Sequence, residues 1–214
     1  EGEICQTDEC TVNFTVPALD DLVFTCAEPT TVDKCLTTSE ISDLFDAWLL
    51  TATADGGCRA DVTPDPATLP IVDICAGTIV PVHFVAHSYD AEGEICQTDE
   101  CTVNFTVPAT DDLVITCPVP KTVGPCLTYE EIYGVDGIFD TWAKDAFAEG
   151  GCEARITDMA HTPLDVCIGG TSDVVFEATS YDADGNECDV LTCRTTFTIV
   201  PPTPVEATCT PGSV

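Results

Sequence analysis

Residues 1–18 read EGEICQTDECTVNFTVPA, and residues 92–109 read the same eighteen letters. A block that recurs at a fixed offset marks a tandem array. Within the second copy Val103, Phe105 and Val107 alternate with Thr102, Asn104 and Thr106. That period of two is the pattern of a strand with one buried face. Pro108 follows, and a residue without an N–H ends a ladder.

Working outward, the cysteines set the frame. Cys10 and Cys26, Cys101 and Cys117, and Cys193 and Cys209 are each sixteen residues apart. The spacing divides the chain into residues 1–18 as the C-terminal strand of a preceding repeat, 19–109 as repeat one, 110–200 as repeat two, and 201–214 as the start of a following repeat. Each full repeat carries six cysteines. They are Cys26, Cys35, Cys58, Cys75, Cys96 and Cys101 in the first, and Cys117, Cys126, Cys152, Cys167, Cys188 and Cys193 in the second. The flanks bring the total to 15, so the odd thiol is expected to find its partner in a further repeat. The chain opens without an initiator Met or a signal peptide, and is read as processed or as a piece of something longer.

Composition narrows the classes. Fifteen cysteines in 214 residues imply disulfides and an oxidising compartment. Six basic residues face 38 acidic ones, a formal charge of −32. That balance excludes nucleic acid and anionic membrane as natural partners. It suits a solvated acidic surface, and no apolar run is long enough to span a bilayer.

In repeat one Leu22–Cys26 reads as a first strand, with short strands near Cys58–Val62 and Ile71–Cys75. The longest strand is Thr78–Tyr89, with Val80, Val82, Phe84 and Ala86 on one face; repeat two matches it with Val174, Phe176 and Ala178. One helix interrupts the strands. Thr37-x-x-Glu40 is a capping box, and Ile41, Leu44, Phe45, Trp48 and Leu49 follow on one apolar stripe. The second copy has Thr128-x-x-Glu131, then Ile132, Val135, Phe139 and Trp142, with three extra residues near Gly134. Trp48 and Trp142 read as core anchors. Asp55-Gly56-Gly57 and Glu149-Gly150-Gly151 read as turns. The pattern predicts a mainly β chain of tandem immunoglobulin-like antiparallel β-sandwich repeats of about 91 residues, each with one short amphipathic helix and about three disulfides.

Three motifs mark the chain: C-L-T-x-x-E-I followed by F-D-x-W, then G-G-C, both present in each repeat, then a D-A-D-G-N-E-C-x4-C-x3-F-T-[VI] ending in repeat two, where repeat one has D-A-E-G-E-I-C. Together they resemble the hyalin-repeat-like (HYR-like), cysteine-containing immunoglobulin-fold repeats of large Bacteroidota cell-surface proteins, over nearly the whole chain. Such repeats are similar to those of gliding-motility adhesins and other long secreted filaments. The resemblance implies a structural role and carries no catalytic residues.

Disulfides are the expected fate of the cysteines, because the closest spacing is C-x4-C and no His recurs to complete a zinc site. Local pairing is the expected connectivity: Cys5–Cys10, Cys26–Cys35, Cys58–Cys75, Cys96–Cys101, Cys117–Cys126, Cys152–Cys167 and Cys188–Cys193. A bridge across the junction, Cys101–Cys117, is the alternative, and six cysteines allow fifteen pairings among which sequence does not choose. His83 and His87 share a strand face, but their counterparts Val175 and Thr179 are not ligands. Asp182, Asp184 and Asn186, with Glu187, lie like the first half of a calcium loop, and Asp90 and Glu92 match them in repeat one. Position twelve is Cys193, not the bidentate Glu such a loop uses. A hairpin turn shaped by Asp and Gly is the competing reading. Asn13 and Asn104 head N-x-[ST] triplets, a sequon of consequence in a eukaryotic host alone.

No cofactor other than calcium is suggested. The expected role is a non-catalytic structural segment of an extracellular cell-surface adhesin or filament. Its partners are then neighbouring repeats head to tail, with lateral self-association, a surface or a glycan as further candidates. A calcium-assisted glycan- or protein-binding module, or a segment attached to a secreted enzyme, is the alternative.

Overall fold

The computed structural model describes residues 8–204. Calls on Cys5 and Cys209 lie outside them, as does the Cys5–Cys10 pairing. Repeat one contains β1 (Val23–Thr25), β2 (Thr30–Thr31), α1 (Thr38–Leu49), β3 (Thr53–Asp55), β4 (Arg59–Asp65), β5 (Thr78–Tyr89) and β6 (Ile95–Val107). Repeat two contains β7 (Asp111–Thr116), β8 (Lys121–Val123), α2 (Tyr129–Tyr133), α3 (Ile138–Ala143), β9 (Phe147–Gly151), β10 (Glu153–His161), β11 (Gly170–Tyr181) and β12 (Glu187–Ile199).

The chain is mainly β, in sandwich-like sheets whose order repeats. One four-stranded sheet runs β2-β6-β5-β4 and the other β8-β12-β11-β10; β1 pairs with β3, and β7 with β9. The long hairpins are antiparallel, while β2 and β8 join their sheets in parallel. The two four-stranded sheets thus share one strand order.

Close contacts divide the chain into two compact units that do not follow the repeat boundary. The first takes the described residues up to Glu28, with Asp46–Thr68 and Pro81–Val103. The second takes Pro29–Phe45, Leu69–Val80 and the described residues from Asn104 onward. Two pieces of repeat one, together with the end of β6, thus belong to the same unit as all of repeat two.

In the first unit the alternation in β5 buries Val82, Phe84 and Ala86 completely. Trp48 lies edge-on to Phe84, with ring centroids 5.7 Å apart, and donates its indole N–H to the Glu28 carbonyl at 2.8 Å. In the second unit Trp142 repeats this, donating to the Val119 carbonyl at 2.7 Å. There it packs with Phe139, Phe176 and Phe197 around Ile132, Val174 and Ile199. An indole needs such an acceptor when buried, so both tryptophans are core anchors.

Both capping boxes form. The Glu40 carboxylate accepts the Thr37 N–H at 2.9 Å, and the Thr128 hydroxyl and Glu131 carboxylate satisfy each other's N–H groups. Those contacts from Thr37 and Thr128 hold both glutamates below the usual carboxylate range.

Three expectations are corrected. Repeat two has two short helices, not one. The Gly134 N–H closes the last bond of α2 on the Glu130 carbonyl, Asp136 turns left-handed at φ 58°, and α3 restarts at Ile138. Val135, placed on the apolar stripe, is exposed in that insert, as is Leu44 in α1. Ile71–Cys75 is a connection ending in a turn, because Asp73 turns its carboxylate onto the Ala76 N–H instead of continuing a ladder.

Candidate functional site: disulfides between consecutive repeats

The local pairing of cysteines does not occur, apart from Cys5–Cys10, which lies outside the described residues. Cys26 bonds Cys101, and Cys117 bonds Cys193, so that each repeat joins its first cysteine to its last. Cys35 bonds Cys152 and Cys75 bonds Cys188, tying repeat one to repeat two. These four bonds replace Cys26–Cys35, Cys96–Cys101, Cys117–Cys126, Cys152–Cys167, Cys188–Cys193 and Cys58–Cys75; the junction alternative Cys101–Cys117 is absent too. The physical reason is that bonding needs Cα atoms within about 7 Å and convergent Cβ vectors. Strands and turns that meet across the fold satisfy this, and neighbours along an extended chain do not. Cα separations at the cross-repeat bonds are 5.2 and 5.3 Å. Cys10, Cys58, Cys96, Cys126 and Cys167 are free and exposed.

All four cysteines of the cross-repeat bonds lie in the second unit. Cys35 sits before α1 in a left-handed conformation, φ 62°. Cys152 directly follows Gly150 and Gly151, which end β9 instead of forming the turn read from the sequence. Gly150 has φ 115°, and a Cβ there would stand 2.2 Å from the Asp112 carbonyl oxygen, so glycine is required. Cys152 then donates its N–H to the Tyr181 carbonyl at 2.8 Å. Cys75 occupies a turn whose carbonyl accepts the Thr110 N–H at 3.2 Å, and Cys188 lies at the start of β12.

Polar contacts accompany the bonds. Lys34 of repeat one pairs with Asp111 of repeat two. Asp184 accepts the Thr38 N–H at 2.9 Å, together with the Thr38 hydroxyl, and so places a carboxylate at the first turn of α1. Negative charge there complements the helix dipole and an unsatisfied donor. An open acidic cleft of about 490 Å³ borders the Cys75–Cys188 bond, lined by Asp73, Asp111, Asp112 and Asp189 among others.

The calcium candidates are engaged otherwise. Asp182 accepts the Asp184 and Asn186 N–H groups at 2.9 and 2.8 Å, and the Asn186 side chain at 3.0 Å. Burial alone pushes its carboxyl up, but these donors and the Gly185 N–H outweigh it and hold it below the usual range. Asp90 likewise caps its own loop through the Glu92 and Glu94 N–H groups. Glu187 opens β12 and is exposed, as is Glu92. Among the described residues no three acidic, His or Cys side chains converge as a metal site.

His83 and His87 share a face, each meeting a threonine of β6, Thr102 at 3.1 Å and Thr98 at 2.9 Å. His161 ends β10, stacked on Phe139 with centroids 4.3 Å apart, and burial pushes its pKa down. The sequence held a signal for it only in the aromatic spacing of the helical segment it meets.

Four disulfides belong to an oxidising, extracellular or secreted setting. No helix among the described residues is long and apolar enough to cross a membrane. No family model and no curated protein matches the chain.

Proposed function

We propose that the chain is a non-catalytic structural segment of a long extracellular array, built from immunoglobulin-like repeats and displayed as the stalk or fibre of a cell-surface adhesin or filament. The observation that carries this reading is the pair of covalent bonds from repeat one to repeat two, Cys35–Cys152 and Cys75–Cys188. A binding or catalytic module gains little from being fastened twice to its neighbour. A thread under tension gains directly, since domains joined by a single linker separate and swivel.

The first eighteen residues support the same reading. Val12, Phe14 and Val16 are 82, 90 and 73 % exposed, whereas the identical Phe105 and Val107 are 0 and 3 % exposed in β6. A sequence that is core in one copy and bare in the other fits the last-strand slot of another repeat. Burying one such side chain is worth about 1.5–3 kcal/mol. The net charge of −32 keeps neighbouring threads apart.

Electron microscopy of the native material, kept unreduced, tests the proposal. A strand the length of β5, 12 residues, spans about 4 nm. Threads with an axial rise near that value per repeat are expected; compact isolated particles overturn the reading.

A further inference from the structure

The free cysteines are not scattered. Cys126 and Cys167 of repeat two stand at the positions of Cys35 and Cys75, which in repeat one reach forward. Cys58 and Cys96 of repeat one stand at the positions of Cys152 and Cys188, which in repeat two receive them. The backbone is set alike at each position. Cys126 is left-handed at φ 68°, against 62° for its bonded counterpart Cys35. Cys167 occupies a turn closed by the Asp165 carboxylate, as Asp73 closes the turn of Cys75, and the next-but-one residues Gly77 and Gly169 have φ 76° and 68°. Cys58 follows Gly56-Gly57, at φ 118° and 62°, and donates to the Tyr89 carbonyl at 2.8 Å, the same distance as Cys152 to Tyr181. Arg59, one residue past Cys58, and Arg155, three past Cys152, each lie 4.4 Å over a tyrosine ring of the paired strand, Tyr89 and Tyr181. Partial desolvation, then the Asp90 carboxylate and the Cys58 sulfur, hold the Cys96 thiol above its ordinary range.

We infer that every junction of the array is closed by the same two bonds: Cys126 and Cys167 bond the Cys58 and Cys96 positions of a following repeat of this sequence pattern. The inference rests on the array reading above and adds its covalent rule. Holding a non-glycine residue at positive φ is unfavourable, so the shared conformation of Cys126 and Cys35 marks a position prepared for its bond. The chemistry is thiol–disulfide exchange with an oxidised disulfide such as glutathione disulfide. The Cys126 thiolate attacks the oxidant's sulfur and releases one thiolate. The Cys58 thiolate then attacks the Cys126 sulfur and releases the second. Two thiol protons go to solvent and two electrons reduce the oxidant; Cys167 and Cys96 repeat the cycle.

A second copy of the chain supplies the following repeat in the test, with Cys5, Cys10 and Cys209 changed to Ser throughout. One variant adds C58S/C96S, the other C126S/C167S, and both keep the four bonds of the fold. Oxidation uses glutathione disulfide at pH 8, to favour the raised Cys96 thiol. Each variant alone should stay at 22.6 kDa on a non-reducing gel, and their mixture should give one species of twice that mass and nothing larger. The chain keeping all four thiols should give a ladder. Peptide mapping should find Cys126–Cys58 and Cys167–Cys96. A mixture that stays monomeric, a Cys58–Cys96 bridge within one chain, or crossed pairing overturns the inference. Native threads with these thiols alkylatable would overturn the bonded junction and leave the array; compact native particles would overturn the array itself.

Discussion

Pulling the oxidised chain by its ends reads the disulfide connectivity as a length. Once noncovalent structure yields, a taut chain follows its shortest covalent path. With Cys26 bonded to Cys101 and Cys117 to Cys193, that path runs from residue 1 to 26, crosses to 101, follows the chain to 117, crosses to 193 and ends at 214. It holds about 62 residue steps, or about 22 nm at ~3.5 Å each. A fully reduced chain should reach about 75 nm, and the local pairing read from the sequence would give about 52 nm. The cross-repeat bonds are slack in the intact molecule, so a variant exposes them. C26S/C101S forces the load from Cys35 to Cys152, back to Cys117 and out through Cys193, about 90 steps or 32 nm. Without the bonds between repeats the same variant would extend over about 137 steps, or 48 nm. Single-molecule force spectroscopy, fitted for contour length, separates these values easily. An oxidised parent near 50 nm, or a C26S/C101S chain near 48 nm, refutes the connectivity and the reasoning built on it.

Three further outcomes probe single repeats. F197A removes a fully buried ring that meets Phe139 and Trp142, and should cost about 3–5 kcal/mol in chemical denaturation, with m unchanged. T128A removes the hydroxyl that caps α2 and should cost about 1 kcal/mol, measured the same way, while T128S restores most of it. His161 binds its proton less readily folded than unfolded, so its contribution is fully present above the ordinary histidine pKa of about 6.5 and is lost as pH falls through the lower folded value. The urea midpoint of the parent should therefore drop more between pH 7.5 and pH 5 than that of H161Q; equal drops refute the assignment.

The parts of the fold that depend on local periodicity were legible in the sequence. Alternation placed β5 at Thr78–Tyr89, and the capping pattern placed the start of α1 at Thr38. The insert at Gly134 was visible, but not its effect. Three residues shift the helical stripe by most of a turn, so the chain broke into α2 and α3 to keep Phe139 and Trp142 buried. That disulfides form was legible from the cysteine count, but their connectivity was not. Cys26 and Cys101 are 75 residues apart, and Cys35 and Cys152 are 117 apart. Their closeness is a property of which strands and turns meet, and identical motifs around each cysteine leave fifteen pairings equivalent in one dimension. The acidic loop shows the same limit: Asp182-x-Asp184-x-Asn186 offers calcium-like spacing, and only the fold shows its oxygens turned onto its own N–H groups.

The connectivity also separates two mechanical tasks within the proposed thread. Cys26–Cys101 and Cys117–Cys193 bypass the body of each repeat, so in an array only the link Cys101–Cys117 lengthens when a repeat comes apart. Sixteen residues extend to about 5.6 nm, against about 4 nm for a folded strand. Even complete loss of noncovalent structure then stretches the thread by well under twofold. The bonds between repeats contribute nothing to that limit while the inner bonds hold. What they contribute is stiffness in the folded thread. One attachment lets two repeats swivel; Cys35–Cys152 and Cys75–Cys188, fixed at two separate points, remove that rotation. C35S/C152S should therefore leave the contour length of an intact chain at about 22 nm while broadening the repeat-to-repeat angles in electron micrographs. A longer contour with unchanged angles would invert the assignment of the two tasks.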